Sequence, residues 1–215
     1  MENYLGSKYC NCGKEHDIAI DDVIIGKGVL RRLPEFIEKY QSKKPFLLAD
    51  RNTFKAAGEA VAAILQENNI PYSSYIFQDD ALEPNEESVG SAFMHFDNRC
   101  DLIIGVGSGV INDIGKILSN VSGRKYIIVG TAPSMDGYAS TGAAMILGGM
   151  KVTVSAGVPA AIIADTEVLK NAPMDMIQAG YGDIVGKYSA LNDWRLSQIV
   201  NQEYFCQEIY DLTFD

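Results

Sequence analysis

The sequence predicts an α/β fold, with a parallel sheet covered by helices on both faces and then the start of an all-helical region. Three observations predict it. Short apolar runs without polar alternation, such as Phe46-Leu-Leu-Ala49 and Leu102-Ile-Ile-Gly-Val106, suit strands buried on both sides. Segments with helical spacing separate these runs, as in successive βαβ units. Beyond Asp165 the strand pattern stops, and helical spacing continues to the end. Residues 18–172 are therefore expected to form the α/β domain, and residues 173–215 the first helices of an incomplete helical domain. Residues 1–17 read as an irregular lead-in.

Composition narrows the partners. A chain of 215 residues with 47% hydrophobic and 21% charged residues can bury a globular core. Its net charge of −10 argues against nucleic acid and anionic membrane surfaces, which need a basic face. No run of 18 apolar residues predicts a membrane span, and no apolar N-terminal stretch predicts a signal peptide. Cys10, Cys12, Cys100 and Cys206 are too unevenly spread for a disulfide framework, so a cytoplasmic protein is expected.

In order along the chain, Cys10-Asn-Cys-Gly-Lys-Glu-His16 offers thiolate and imidazole, the ligand chemistry of zinc. A closed site needs four ligands and three are in reach, so an unmetallated surface turn is expected. Residues 18–25 read as a strand. Residues 28–40 read as a helix with Leu30, Leu33, Phe36, Ile37 and Tyr40 on one face. A strand at 46–50 leads to Asn52 or Thr53, either able to cap a helix reaching about residue 68, with Phe54, Ala57, Val61, Ile64 and Leu65 inward. A strand at 72–77, a helix at 86–98 and a strand from Leu102 follow. The next helix carries Val110, Ile111, Ile114, Ile117 and Leu118, and a strand covers 126–129. After a long loop, residues 143–154 read as a hairpin turning at Gly148-Gly149, and 160–165 as a strand. Helices are expected at 167–171, at 174–198 and from 203 onward.

Gly105, Gly107 and Gly109 punctuate the junction of the strand from Leu102 with its following helix. Free backbone N–H groups at a helix start, without side chains in the way, make a seat for a dinucleotide diphosphate. The spacing is Gly-x-Gly-x-Gly, with Val110 where the usual fingerprint has its last glycine, so a tight βα turn is the plain alternative. Asp50 ends its strand at the ligand-binding edge of such sheets. It can accept hydrogen bonds from a ribose, or simply open the turn before Asn52. The loop 130–142 is long, small and hydroxyl-rich, with Asp136 its one charge, and it leaves the same edge.

Farther on, Asp183 and Lys187 share a helix face. Gly180 and Gly182 just before them weaken a helix unless something must come close. Asp183 would suit a hard metal, but such an ion needs two or three more ligands. His16 and His95 are the only histidines, and neither is placed by sequence to help.

Gly105-Val-Gly-Ser-Gly-x-x-x-Asp113-x-x-Lys116, Thr131-Ala-Pro-Ser-Met-Asp-Gly-Tyr-Ala-Ser140, Ala164-Asp165 and Ala179-Gly-Tyr-Gly-Asp-x-x-x-Lys187 together resemble the glycerol-1-phosphate dehydrogenase family. That family lies within the superfamily of iron-containing alcohol dehydrogenases, glycerol dehydrogenase and dehydroquinate synthase. Ser-Met-Asp-Gly and the N-terminal Cys-x-Cys-Gly look closest to its bacterial AraM-like branch. The likeness runs from about residue 10 to the end.

The resemblance implies a nucleotide-binding domain and a helical metal domain with the active site between them. It implies reduction of dihydroxyacetone phosphate to sn-glycerol 1-phosphate by NADH or NADPH, with a divalent metal (zinc, nickel or iron), in glycerophospholipid synthesis. By position, Gly107, Ser108 and Gly109 match the diphosphate turn, and Asp113 belongs to the same cofactor-side motif. Asp50 matches the ribose-side acid, and Thr131 and Ser134 the loop along the cofactor. Asp136 matches a substrate-side aspartate, Asp183 the first of three metal ligands, and Lys187 a cation near the substrate phosphate. The two histidine ligands would fall beyond residue 215, so the chain is expected to be a fragment that binds nucleotide and is inactive alone. A glycerol or polyol dehydrogenase, a dehydroquinate synthase-like lyase and a non-catalytic nucleotide-binding module are the alternatives. A truncated helical domain would expose Trp194, Leu196, Ile199 and Phe205 and so favour self-association, in line with a homo-oligomer.

Overall fold

The computed structural model describes residues 6–79 and 81–214. It opens with an antiparallel hairpin of β1 (Gly6–Tyr9) and β2 (Glu15–Ile18), followed by β3 (Asp22–Gly26). A 3-10 turn at Val29–Arg32 leads into α1 (Leu33–Lys39), and then come β4 (Pro45–Asp50) and the short α2 (Arg51–Thr53). A π-helical turn at Phe54–Gly58 continues into α3 (Glu59–Glu67). Next are β5 (Ser73–Phe77), α4 (Glu86–His95), β6 (Leu102–Gly107), α5 (Gly109–Ser122) and β7 (Lys125–Gly130). A second hairpin, β8 (Gly142–Leu147) with β9 (Met150–Ser155), precedes β10 (Ala161–Asp165) and α6 (Thr166–Leu169). The chain closes with the 28-residue α7 (Met174–Asn201) and with α8 (Gln207–Phe214).

Six strands form one parallel sheet in the order β3-β10-β7-β6-β4-β5. Strand side chains alternate between two cores. Leu47, Ala49, Ile104, Val106, Ile127 and Val129 pack under α1 and α3, while Phe46, Leu48, Ile103, Tyr126 and Ile128 pack under α4 and α5. This is why the apolar runs lack alternation: both faces of each strand are inside. After β4 the chain moves outward to β5, and after β6 it builds toward the opposite edge. The sheet therefore has its switch point between β4 and β6, where ligands of such folds bind. Ala49 pairs with Val106, so Asp50 and Gly107 end the two strands side by side.

Several boundaries differ from expectation for physical reasons. Residues 6–18 are ordered by the first hairpin, and the strand expected at 18–25 is broken by its turn before β3. The helix expected from Gly28 begins as a 3-10 turn, because Gly28 adopts φ 72° so that Asp165 can accept its N–H at 3.0 Å and that of Leu30 at 3.1 Å. Burial opposes ionisation of Asp165, but three backbone donors (Leu30, Glu167 and Gly28) hold its carboxyl below the usual range. The π turn follows from Phe54 lying over Gly58, where a Cβ would stand 2.5 Å from the ring. Helix α4 stops at His95, short of residue 98. Residues 202–206 are irregular rather than helical, because Gln202 leaves α7 in the left-handed region at φ 57°. Trp194 and Phe205 are half-buried against each other, ring centroids 4.8 Å apart, so of the four residues expected to be exposed only Leu196 and Ile199 are fully so. Among the described residues no helix is long and apolar enough to cross a membrane.

Candidate nucleotide and metal site

The turn from β6 into α5 is shaped by close packing. A Cβ on Gly107 would stand 2.5 Å from Ile111 Cβ, and one on Gly105 would stand 2.5 Å from the hydroxyl of the buried Tyr126 and 2.8 Å from its ring. Gly107 is therefore required by the packing of the turn, and Gly105 by the packing of Tyr126 on β6. Gly109 is different: a Cβ there would lie 3.5 Å from Met135 Sδ, an ordinary contact. Ser108 caps α5 without a side-chain hydrogen bond, so the first-turn N–H groups keep no side-chain acceptor of their own.

Asp50 does open a helix. Its Oδ1 accepts the N–H of Asn52 at 2.8 Å and of Thr53 at 2.9 Å, while Thr53 Oγ1 accepts the Asp50 N–H at 3.0 Å, a capping box. Both capping bonds use the same oxygen. Asp113 turns to β8, where the Ala144 backbone donates to it, and burial raises its pKa. The structure thus carries Asp113 toward the second hairpin and Asp50 toward the glycine turn.

The loop after β7 is tied down along its length. Thr131 is buried, and its N–H donates to Gly107 O at 3.0 Å. The Tyr138 hydroxyl donates to Ala132 O at 2.7 Å. Lys116 is 1% exposed, and its ammonium donates to Gly137 O at 2.9 Å, Ser140 Oγ at 3.0 Å and Gly142 O at 3.1 Å. Burial lowers its pKa, partly countered by Asp113. The motif containing Lys116 was legible, but its role as the loop's anchor was not. A lysine three residues after Asp113 on an otherwise apolar helix face was the available signal.

Helix α7 crosses this loop at Gly180, where a Cβ would stand 1.7 Å from Pro133 O and 3.3 Å from Ser134 Cα. That approach brings Asp183, Asp136 and Lys187 together. Asp183 Oδ2 accepts the Asp136 N–H at 2.8 Å, Lys187 Nζ lies 2.9 Å from Asp136 Oδ2, and Asp183 Oδ1 is 3.8 Å from the same ammonium. The Asp136 N–H, and then Lys187, hold the Asp183 carboxyl below its ordinary range. The Asp136 carboxylate raises Lys187 in turn. All three side chains remain one-third to one-half exposed, open to a ligand.

As a metal seat the cluster is incomplete. His95 stacks on Tyr75 with centroids 4.2 Å apart, and His16 sits beside Cys12 at 3.4 Å. Among the described residues no imidazole reaches Asp183, and the cation its carboxylate faces is Lys187. One or two carboxylates do not hold a catalytic ion, and this cluster alone does not fit one. The β6–α5 turn, by contrast, offers first-turn N–H groups without a side-chain acceptor, next to the strand end that carries Asp50.

A parallel sheet with a glycine turn at its switch point is the architecture of the doubly wound α/β folds. A sequence profile of iron-containing alcohol dehydrogenases matches residues 24–173, and the chain belongs to that family. It is 34% identical over 208 residues to a glycerol-1-phosphate dehydrogenase [NAD(P)+] of Halalkalibacterium halodurans, covering 95% of this chain and 52% of the relative. It is 37% identical over 184 residues to the enzyme of that name from Bacillus velezensis, covering 84% and 47%. The chain spans about half the length of the curated relatives it matches. In fold it is similar to glycerol dehydrogenase from Schizosaccharomyces pombe, with a TM-score of 0.74 at 20% identity over 90% of this chain and 46% of that one.

Proposed function

We propose that residues 6–214 form the nucleotide-binding half, with the opening helices of the metal side, of an NAD(P)H-linked sn-glycerol-1-phosphate dehydrogenase. The observation that carries this reading is the meeting of Asp136, Asp183 and Lys187 beside the glycine turn. The relatives' name, glycerol-1-phosphate dehydrogenase [NAD(P)+], supports the substrate and the cofactor. The first turn of α5 receives the diphosphate through its N–H groups. Asp50 turns its second oxygen to a ribose hydroxyl while Oδ1 keeps α2 capped. Thr131 and Ser134 line the path of the cofactor toward the catalytic cluster.

A bound nicotinamide supplies hydride to the substrate carbonyl carbon. The chain's own residues position what receives it. Asp136 and Asp183 present carboxylates to the cleft, and Lys187 holds them together across the loop. When substrate enters, the Lys187 ammonium is the local cation for a phosphate monoester. In a protein of the relatives' full length, Asp183 would be one ligand of a divalent ion, and the chemistry such an ion would supply is polarisation of the ketone. Lys116 keeps the loop in register throughout.

Calorimetry with NADH tests the binding part. The 215-residue chain should bind NADH, and Gly109→Val should lose that binding while its melting temperature stays close to that of the parent. No NADH binding by a folded parent chain would overturn the assignment. For the activity, NADH oxidation by a protein of the relatives' full length should require dihydroxyacetone phosphate and stop on chelation. Turnover of free glycerol in preference to glycerol 1-phosphate would favour the polyol reading instead.

A further inference from the structure

The first hairpin poses a physical problem. Strands β1 and β2 have four residues each, bury almost nothing (Tyr9 is 82% exposed), and among the described residues pair only with each other. An isolated two-stranded hairpin is at best marginal in water. Something other than a hydrophobic core must hold it.

Its tip supplies the answer. The N–H of Cys10 donates to Lys14 O and that of Gly13 to Cys10 O, both at 3.0 Å, and Gly13 takes φ 82°. This tight turn aims both thiols of Cys10-Asn-Cys12 at one point. His16 on β2 reaches the same point, and Cys206, buried in the irregular stretch before α8, closes it from 190 residues away. Cys10 Sγ lies 3.5 Å from Cys206 Sγ, and His16 Nε2 lies 3.4 Å from both Cys12 Sγ and Cys206 Sγ. All four ligand atoms fall within 4.8 Å of one another.

The three shorter separations, 3.4–3.5 Å, are close to the edges of a coordination tetrahedron. Zinc bonds of about 2.3 Å to sulfur and about 2.0 Å to nitrogen, set at tetrahedral angles, place ligand atoms roughly 3.5–3.8 Å apart. Polar donors lie close to two of the sulfurs: the Cys12 N–H donates to Cys10 Sγ at 3.5 Å, and the Tyr204 hydroxyl lies 3.1 Å from Cys12 Sγ. Lys14 stands 3.7 Å over the Tyr204 ring. Glu208 lies 3.3 Å from Cys10 Sγ and pairs with Lys8. A cavity of about 690 Å³ lined by Cys10, Cys12, Cys206 and Arg195 gives an ion its way in.

We infer that Cys10, Cys12, His16 and Cys206 form a structural zinc site of Cys3His type, separate from the Asp183 cluster, that staples the N-terminal hairpin to the segment before α8. Four protein ligands leave no open position, so this ion holds structure and does no chemistry. A Cys10–Cys206 disulfide would use two of the four groups and leave Cys12 and His16 without a purpose.

The test is metal content and cobalt spectroscopy on the reduced 215-residue chain. It should carry about one zinc per chain. Cobalt in its place should give thiolate charge-transfer absorption and the intense visible bands of a tetrahedral site. Cys206→Ser should weaken the charge-transfer band, and Asp183→Asn should leave it unchanged. Circular dichroism of Cys206→Ser should retain the α/β signal, since the sheet does not involve the hairpin. An octahedral cobalt spectrum, a spectrum indifferent to Cys206→Ser, or a Cys10–Cys206 disulfide in freshly isolated protein would each overturn the site.

Discussion

Gly180 of α7 rests on the carbonyl of Pro133 so tightly that even a methyl group would stand 1.7 Å from its oxygen. Asp183 reaches the Asp136 N–H because this crossing has no side chain in it. Gly180→Ala should therefore lift α7 off the loop, costing on the order of 3 kcal/mol. It should also release the Asp136 amide, read as faster hydrogen exchange. Gly182 meets nothing within 4 Å, so Gly182→Ala should stabilise the helix by about 1 kcal/mol. Denaturant unfolding of the pair checks both signs.

The contact between helix and loop should be bounded by pH on both sides. Asp183 is held below its ordinary 3.8, so its contribution is complete above 3.8 and is lost as pH falls through the lowered value. Lys187 is held above its ordinary 10.5, so its contribution is complete below 10.5 and is lost as pH rises through the raised value. Amide exchange at Asp136 should be slowest relative to intrinsic rates between these limits. Lys187→Met should remove the alkaline limb and leave the acid one.

Asp50 separates capping from recognition. Asn caps a helix as well as Asp does, so Asp50→Asn should keep stability within about 0.5 kcal/mol. The lost charge should weaken NADH binding roughly tenfold. Asp50→Ala should lose both, with about 1 kcal/mol of stability gone. Calorimetry and thermal melts on the two variants distinguish the effects.

The outer face of α7 should drive association. Leu196, Ile199 and Val200 are 58%, 71% and 67% exposed, with Tyr181 and Tyr188 on the same helix also open. Sedimentation velocity should show concentration-dependent self-association of the 215-residue chain. Leu196→Glu with Ile199→Glu should shift it to monomer without lowering its melting temperature.

The α/β class, the sheet strands after the first hairpin and the glycine turn were all legible in the chain, because each depends on neighbours a few residues away. Apolar runs report burial on two faces, helical spacing reports the covering layer, and Gly107 reports a close turn. Asp183 and Lys187 were legible as a pair for the same reason, being one helical turn apart. Their meeting with Asp136, the anchoring of the loop by Lys116 and the joining of Cys206 to Cys10, Cys12 and His16 were not. Those pairings span 21 to 196 residues and are made by helix crossings and chain reversals that leave no local periodicity. Three ligands in one turn read as an incomplete site, and the fourth exists only once the chain has folded back on itself.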